Sequence, residues 1–286
     1  MERISRALEL ARAQRDARSS DAQLDPQRTA DVKFETKASV VEQIHDATKS
    51  SLDRTTAHQL PTIQLDPVHQ ERERIVAPGC VGAMGAPYKM LRTQVLKRMD
   101  QLGSNTLAVL SGTSGAGKTL TAINLAIAIS ADPGRTALLV DFDLRNPCIA
   151  RRLGFVPEVG VEECLANGRS VHEAMVKIEG YDRLRVLPAR ERVAQSSELL
   201  HSRRTVDIFM ELRARYANRV LVFDLPPVLQ ADDALAFSKL VQAGLVVVGE
   251  RRSRREDITR TIELLHELPI VGTVLNGSRD DSRMVY

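Results

Sequence analysis

At 286 residues the chain can bury one good-sized core with an appendage, or two small domains, and 43% hydrophobic with 27% charged residues excludes disorder throughout. A formal net charge of +3 excludes a whole-chain nucleic-acid footprint. Cys80, Cys148 and Cys164 are odd in number and widely spaced. They fit neither a disulfide framework nor zinc-ligand spacing, and they suit a reducing cytoplasm.

The N-terminus, "MERISRALEL", lacks the uninterrupted apolar segment of a signal peptide, and no later run is long enough to cross a bilayer. A role at a membrane would therefore require a partner. Ile4, Leu8 and Ala11 fall on one side of a possible helix, with Arg3, Arg6, Arg12 and Arg15 around the rest. That pattern suits a partner-binding helix and, equally, a marginal solvated one. From Ser19 to about Val76 the sequence is rich in Asp, Gln, Thr, Ser and Arg with little periodicity, which reads as a flexible tether. The expected division is residues 1–79 as helix and tether, and 80–286 as one folded domain.

Beyond residue 80, apolar runs alternate with helical patterns. The runs are "TLAVLS", "TALLVD", "LRVLP", "RVLVFD", "GLVVVG" and "IVGTVLN", each apolar on successive positions. Between them lie "KTLTAINLAIAIS", "SSELLHSRRTVDIFMELRARY", "DDALAFSKLVQA" and "REDITRTIELLHEL". The basic stretch "RRSRRE" reads as a solvated loop that could touch an acidic partner. Strands alternating with helices predict an α/β fold, a mostly parallel sheet with helices on both faces, whose ligands sit at the carboxyl ends of the strands.

"SGTSGAGKT" occupies that place. Gly112, Gly117, Lys118 and Thr119 complete the pattern GxxxxGK[ST] between a predicted strand and a predicted helix. The loop Gly112, Thr113, Ser114, Gly115, Ala116, Gly117, Lys118 and Thr119 can curl its amides onto phosphate oxygens, with the helix dipole adding partial positive charge. Lys118 would bridge the outer phosphates of ATP, and the Thr119 hydroxyl would hold Mg2+. Two strands supply carboxylates for such a metal. "LLVDFDLRNP" carries Asp141 and Asp143 two apart, so that in extended chain they share a side, and "RVLVFDLPP" ends in Asp224.

These segments, with "SSELLHS", "VLQADDALAFSKLVQAGLVVV" and "VGTVLNGS", resemble the Walker A, Walker A′ and Walker B regions and flanks of the bacterial tyrosine kinases. "RISRALELAR" and "APYKMLRTQV" are similar to the exosortase-associated exopolysaccharide autokinase branch of that family. The likeness runs continuously over about residues 80 to 278. It implies a P-loop NTPase fold and a cytoplasmic ATP- and Mg2+-dependent protein-tyrosine autokinase, recruited to the inner membrane by the cytoplasmic segment of a membrane-bound polysaccharide chain-length regulator. It further implies that Lys118 and Thr119 hold nucleotide and magnesium, that Asp143 and Asp224 serve the metal, and that Asp141 accepts the proton of a tyrosine hydroxyl. Arg145 would orient the site, meet a neighbouring subunit, or pair with Asp143 or a helix end.

The sequence departs from the family at two places. Family members commonly end in a tyrosine cluster, whereas "NGSRDDSRMVY" offers Tyr286 as the single tail phosphoacceptor; Tyr88, Tyr181 and Tyr216 read as core residues. The helix through which members self-associate often carries a glutamate where this chain has Ala86, followed by Lys89 and Arg92. Two other readings stay open. A partition-type switch ATPase shares the fold, although Thr113 stands where such proteins usually carry a lysine. A non-catalytic ATP-binding regulator of the polysaccharide machinery would need only the loop.

Overall fold

This computed structural model describes residues 60–79 and 84–278. The expected N-terminal helix, the tether as far as residue 59, Cys80 and Tyr286 lie outside the described residues. All six apolar runs form strands, since a segment apolar at every position can bury both its faces in a parallel sheet. They are β2 (Thr106–Leu110), β3 (Ala137–Asp141), β5 (Leu184–Leu187), β6 (Val220–Asp224), β7 (Ala243–Gly249) and β8 (Ile270–Asn276). Two short strands that the runs did not announce, β1 (Thr62–Ile63) and β4 (Val176–Ile178), extend one edge. The eight strands lie in the order β1-β4-β5-β3-β6-β2-β7-β8. All neighbours are parallel except β4 and β5.

The helices are α1 (Pro67–Arg72), α2 (Ala86–Gln101), α3 (Lys118–Ser130), α4 (Ile149–Leu153), α5 (Val161–Asn167), α6 (Val171–Ala174), α7 (Ser196–Leu200), α8 (Arg203–Arg215), α9 (Asp233–Ser238) and α10 (Arg255–Leu264). The twofold alternation of strand side chains divides the interior into two cores. On one face Leu107, Val109, Leu139 and Val222 pack with Val95 and Met99 of α2 and Ile123 and Ala126 of α3. On the other Leu110, Leu138, Val140 and Phe223 pack with Ile208 and Phe209 of α8 and Phe237 of α9. Phe142 joins this second core, its ring centroid 4.8 Å from that of Phe237. Anchoring Phe142 there leaves Asp141 and Asp143, on either side of it, for the opposite direction.

One expectation is corrected. The folded domain reaches back at least to residue 60: β1 pairs with β4, Ile75 and Val76 are buried, and Val76 N donates to Asn124 Oδ1 on α3 at 2.9 Å. Few apolar residues suffice there because backbone and Asn124 bonds do much of the docking. The stretch "SSELLHSRRTVDIFMELRARY" is two helices, because Ser202 turns extended and accepts Thr205 N at 3.2 Å as the cap of α8. Strand β3 stops at Asp141, so Asp143 lies past the strand end.

Candidate functional site

The loop from Gly112 to Thr119 joins β2 to α3 at the carboxyl end of the sheet. Gly117, at φ 91°, precedes the first residue of α3, a left-handed conformation that side chains resist. A Cβ at Gly117 would also strike the Asn276 carboxamide. Lys118 and Thr119 therefore enter the first turn of α3 from a backbone shape that glycine alone supplies without strain. Both are buried.

Strand register brings the carboxylates together. Asp141 and Asp224 end β3 and β6 as direct partners in the parallel ladder. Asp224 sits one strand from β2 and faces the loop: its Oδ1 accepts Lys118 Nζ at 2.6 Å and its Oδ2 accepts Thr119 Oγ1 at 2.6 Å. Lys118 Nζ also reaches Asp143 Oδ2 at 3.3 Å. Asp141 is wholly buried and is held by backbone amides, accepting Cys148 N at 3.1 Å and Ile149 N at 3.0 Å on Oδ2 and Asp143 N at 3.3 Å on Oδ1.

Three carboxylates thus face one ammonium. Burial, and then the neighbouring Asp224, push the Asp141 carboxyl well above its ordinary range. Burial raises Asp224 as well, against the pull of Lys118. Burial works to lower the Lys118 ammonium, but Asp224 and Asp143 outweigh it and the net shift is upward. Lys118 is therefore held charged between Asp224 and Asp143. The Thr119 hydroxyl with the Asp143 and Asp224 carboxylates is an all-oxygen donor set, the chemistry that magnesium prefers. Among the described residues no group of three or more His, Cys, Asp or Glu side chains could hold a metal ion by itself. A magnesium site completed by phosphate oxygens fits that arrangement, since this ion takes one or two protein carboxylates and substrate oxygens.

Arg145 goes elsewhere. Its guanidinium bonds the buried Asp233 at the start of α9, with Nη2 to Oδ1 at 2.8 Å, and reaches Asp232 at 3.4 Å. Ser196 Oγ completes Asp233 at 2.6 Å, and Ser197 Oγ bonds Asp232 at 2.7 Å. Arg145 therefore ties the segment after β3 to the "SSELL" and "ADDALAF" segments, and the pairing with Asp143 considered from sequence does not form.

Three side chains that sequence reasoning did not single out grip the phosphate loop from outside. Gln230 accepts Ser114 Oγ at 2.5 Å, Arg252 Nη1 donates to Gly115 O at 3.2 Å, and Asn276 Nδ2 donates to Ala116 O at 3.0 Å. They follow β6, follow β7 and end β8 respectively, so each of these three strands leaves one contact with the loop. The only sequence signal was their place just after, or at the end of, apolar runs; Arg252 lies in the stretch read as a solvated loop. Cys148, also missed, places its thiol 3.5 Å from Thr119 Oγ1.

A family model described as CbiA, the CobQ/CobB/MinD/ParA nucleotide binding domain, matches residues 107–284. The chain belongs to this family. It is 26% identical over 201 residues to the tyrosine-protein kinase YwqD of Bacillus subtilis (strain 168), covering 70% of this chain and 83% of that one. It is 30% identical over 177 residues to the succinoglycan biosynthesis transport protein ExoP of Rhizobium meliloti (strain 1021), covering 61% of this chain but 22% of that longer protein. The kinase domain of the Escherichia coli tyrosine kinase ETK shares the fold, with a TM-score of 0.65 at 22% identity over 79% of this chain and 92% of that one. Among the described residues no helix is long and apolar enough to cross a membrane.

Proposed function

We propose that this CbiA-family chain is an ATP- and Mg2+-dependent protein-tyrosine autokinase. It would regulate exopolysaccharide chain length or export together with the cytoplasmic segment of a membrane-bound chain-length regulator, and would be recruited from the cytoplasm to the inner membrane by that partner. The observation that carries the reading is the convergence of Lys118, Thr119, Asp143 and Asp224 beside the buried Asp141, in a chain whose relatives include the kinase YwqD and the transport protein ExoP.

In this reading the amides of the loop from Gly112 to Thr119 and the Lys118 ammonium bind the phosphates of ATP. Thr119, Asp143 and Asp224 would hold Mg2+, which would supply charge neutralisation at the phosphates. Asp141, whose carboxyl is raised by burial and by Asp224, has the proton affinity that a base for a tyrosine hydroxyl needs. The hydroxyl oxygen bonds the γ-phosphorus, the bond to the β-bridging oxygen breaks, the proton passes to Asp141, and ADP leaves. The amides of Cys148 and Ile149 fix the carboxylate plane for that task. Arg145 acts at one remove, by fixing the start of α9 against the segment after β3. Tyr286 is the proposed acceptor.

The test is incubation of the full chain with ATP and magnesium, with and without the partner's cytoplasmic segment, followed by mass spectrometry. Phosphate on Tyr286 that is lost in Asp141→Asn supports the reading. ATP hydrolysis without phosphotyrosine, even with the partner present, would instead make the chain a switch ATPase.

A further inference from the structure

Helix α3 connects two places. Its first turn carries Lys118 and Thr119, and its last turn forms one wall of a cavity of about 550 Å³ at the other end of the molecule's main helix. The remaining walls come from Tyr88, Lys89 and Arg92 of α2 and from Tyr181 and Arg183 at the β4–β5 turn. Arg92 Nη1 donates to Ala128 O at 3.2 Å, and Arg183 Nε donates to Ser130 O at 2.9 Å. Those bonds complement the carbonyl end of α3 and orient both guanidinium groups at the cavity.

Capping does not use up this charge. Among the described residues Lys89, Arg92 and Arg183 make no ion pair with a carboxylate. Arg92 Nε, a buried donor, meets no partner among the described residues. Among the described residues a single acid, Asp182, lines the same cavity. Three cations without a carboxylate partner among the described residues thus line one cavity, and the arginine fork matches phosphate geometry. Tyr88, Tyr181 and Pro78 add aromatic and apolar groups to the lining. The volume lies within the range of about 300–1,000 Å³ typical of small-ligand pockets.

We infer that this cavity is a second ligand site, separate from the phosphate loop, for a small organic diphosphate carrying a planar ring, the chemistry of a nucleoside diphosphate. Lys89, Arg92 and Arg183 would take the phosphates and the tyrosine-lined wall the ring. The inference stands apart from the kinase reading, because it uses none of the residues at the loop.

Uridine diphosphate is a suitable probe, titrated calorimetrically into the full chain already saturated with magnesium and AMP-PNP. The expected result is binding that persists with AMP-PNP present and weakens by about tenfold or more in Arg183→Gln and in Lys89→Gln. Lys89 is exposed, so its variant keeps the test independent of folding defects at the helix end. Heat that disappears once AMP-PNP is added assigns the uridine diphosphate to the phosphate loop and overturns the proposal. Binding unchanged in both variants, or no binding, overturns it too, as does a concentration-dependent dimer abolished by Lys89→Gln in the absence of any uridine diphosphate heat.

Discussion

Lys118 Nζ lies 2.6 Å from Asp224 Oδ1, with the lysine 6% exposed and the aspartate fully buried. The lysine that would meet phosphate is thus seated on the carboxylate that would meet metal. Asp224→Ala leaves a buried ammonium with Asp143 as its remaining carboxylate, and breaking a buried pair on one side costs about 3–5 kcal/mol. Urea unfolding should show that loss, together with loss of magnesium-dependent nucleotide binding. A variant as stable as the parent would show that Lys118 re-pairs without Asp224.

Asp141→Asn should separate chemistry from stability through pH. In the folded chain burial and Asp224 hold the Asp141 carboxyl well above its ordinary value, so the folded state keeps a proton that the unfolded state has released. Stability linked to that proton is full below the unfolded carboxyl value of about 4 and is lost as pH rises through the folded value. Asparagine carries no such proton. The stability of the parent relative to Asp141→Asn should therefore fall as pH is raised above about 4, until pH passes the folded value, read as diverging melting temperatures. Parallel pH profiles would contradict the raised value.

Arg145→Ala tests where that residue acts. Asp233 is buried while Arg145 is 43% exposed, so removal should cost about 1–3 kcal/mol after solvent screening is allowed for. Nucleotide affinity should stay within about twofold of the parent, measured with a fluorescent ATP analogue. A large affinity loss in a stable protein would place Arg145 at the nucleotide.

Gly117→Ala meets two obstacles, a φ of 91° and the Asn276 carboxamide. Nucleotide binding should be lost and stability reduced by about 1–3 kcal/mol. Adding Asn276→Ala relieves the clash but not the backbone strain, so denaturation should show partial recovery only.

Arg252→Ala removes one outer contact of the loop, the bond to Gly115 O. A single hydrogen bond of this kind predicts a three- to tenfold weakening of ATP binding, roughly, with Arg252→Lys intermediate. Titration with the same analogue would reveal it, and an unchanged affinity would show that Gln230 and Asn276 suffice.

The sheet was legible because its central strands are buried on both faces and so are written as unbroken apolar runs. β4 escaped because three residues, Val176 to Ile178, with a half-buried Lys177 in the middle, make no run. Residues 60–79 escaped because Asn124 and Tyr181 hold the backbone of Val76, contacts made with residues far along the chain. The loop and its aspartates could be located because local grammar, glycine spacing and strand ends, fixes where they sit. The destination of Arg145 could not, since Asp233 is 88 residues away and no local pattern links them.

The outer grip on the phosphate loop has a consequence for synthesis on the ribosome. The loop is made by residue 119, but Thr119 meets Asp224 only 105 residues later, and Asn276 reaches Ala116 after 160. A nascent chain carries the nucleotide motif long before it has the groups that shape it. Competence should therefore arrive late and abruptly, when β8 docks, so that a product truncated before Asn276 contains the whole motif yet fails to retain nucleotide.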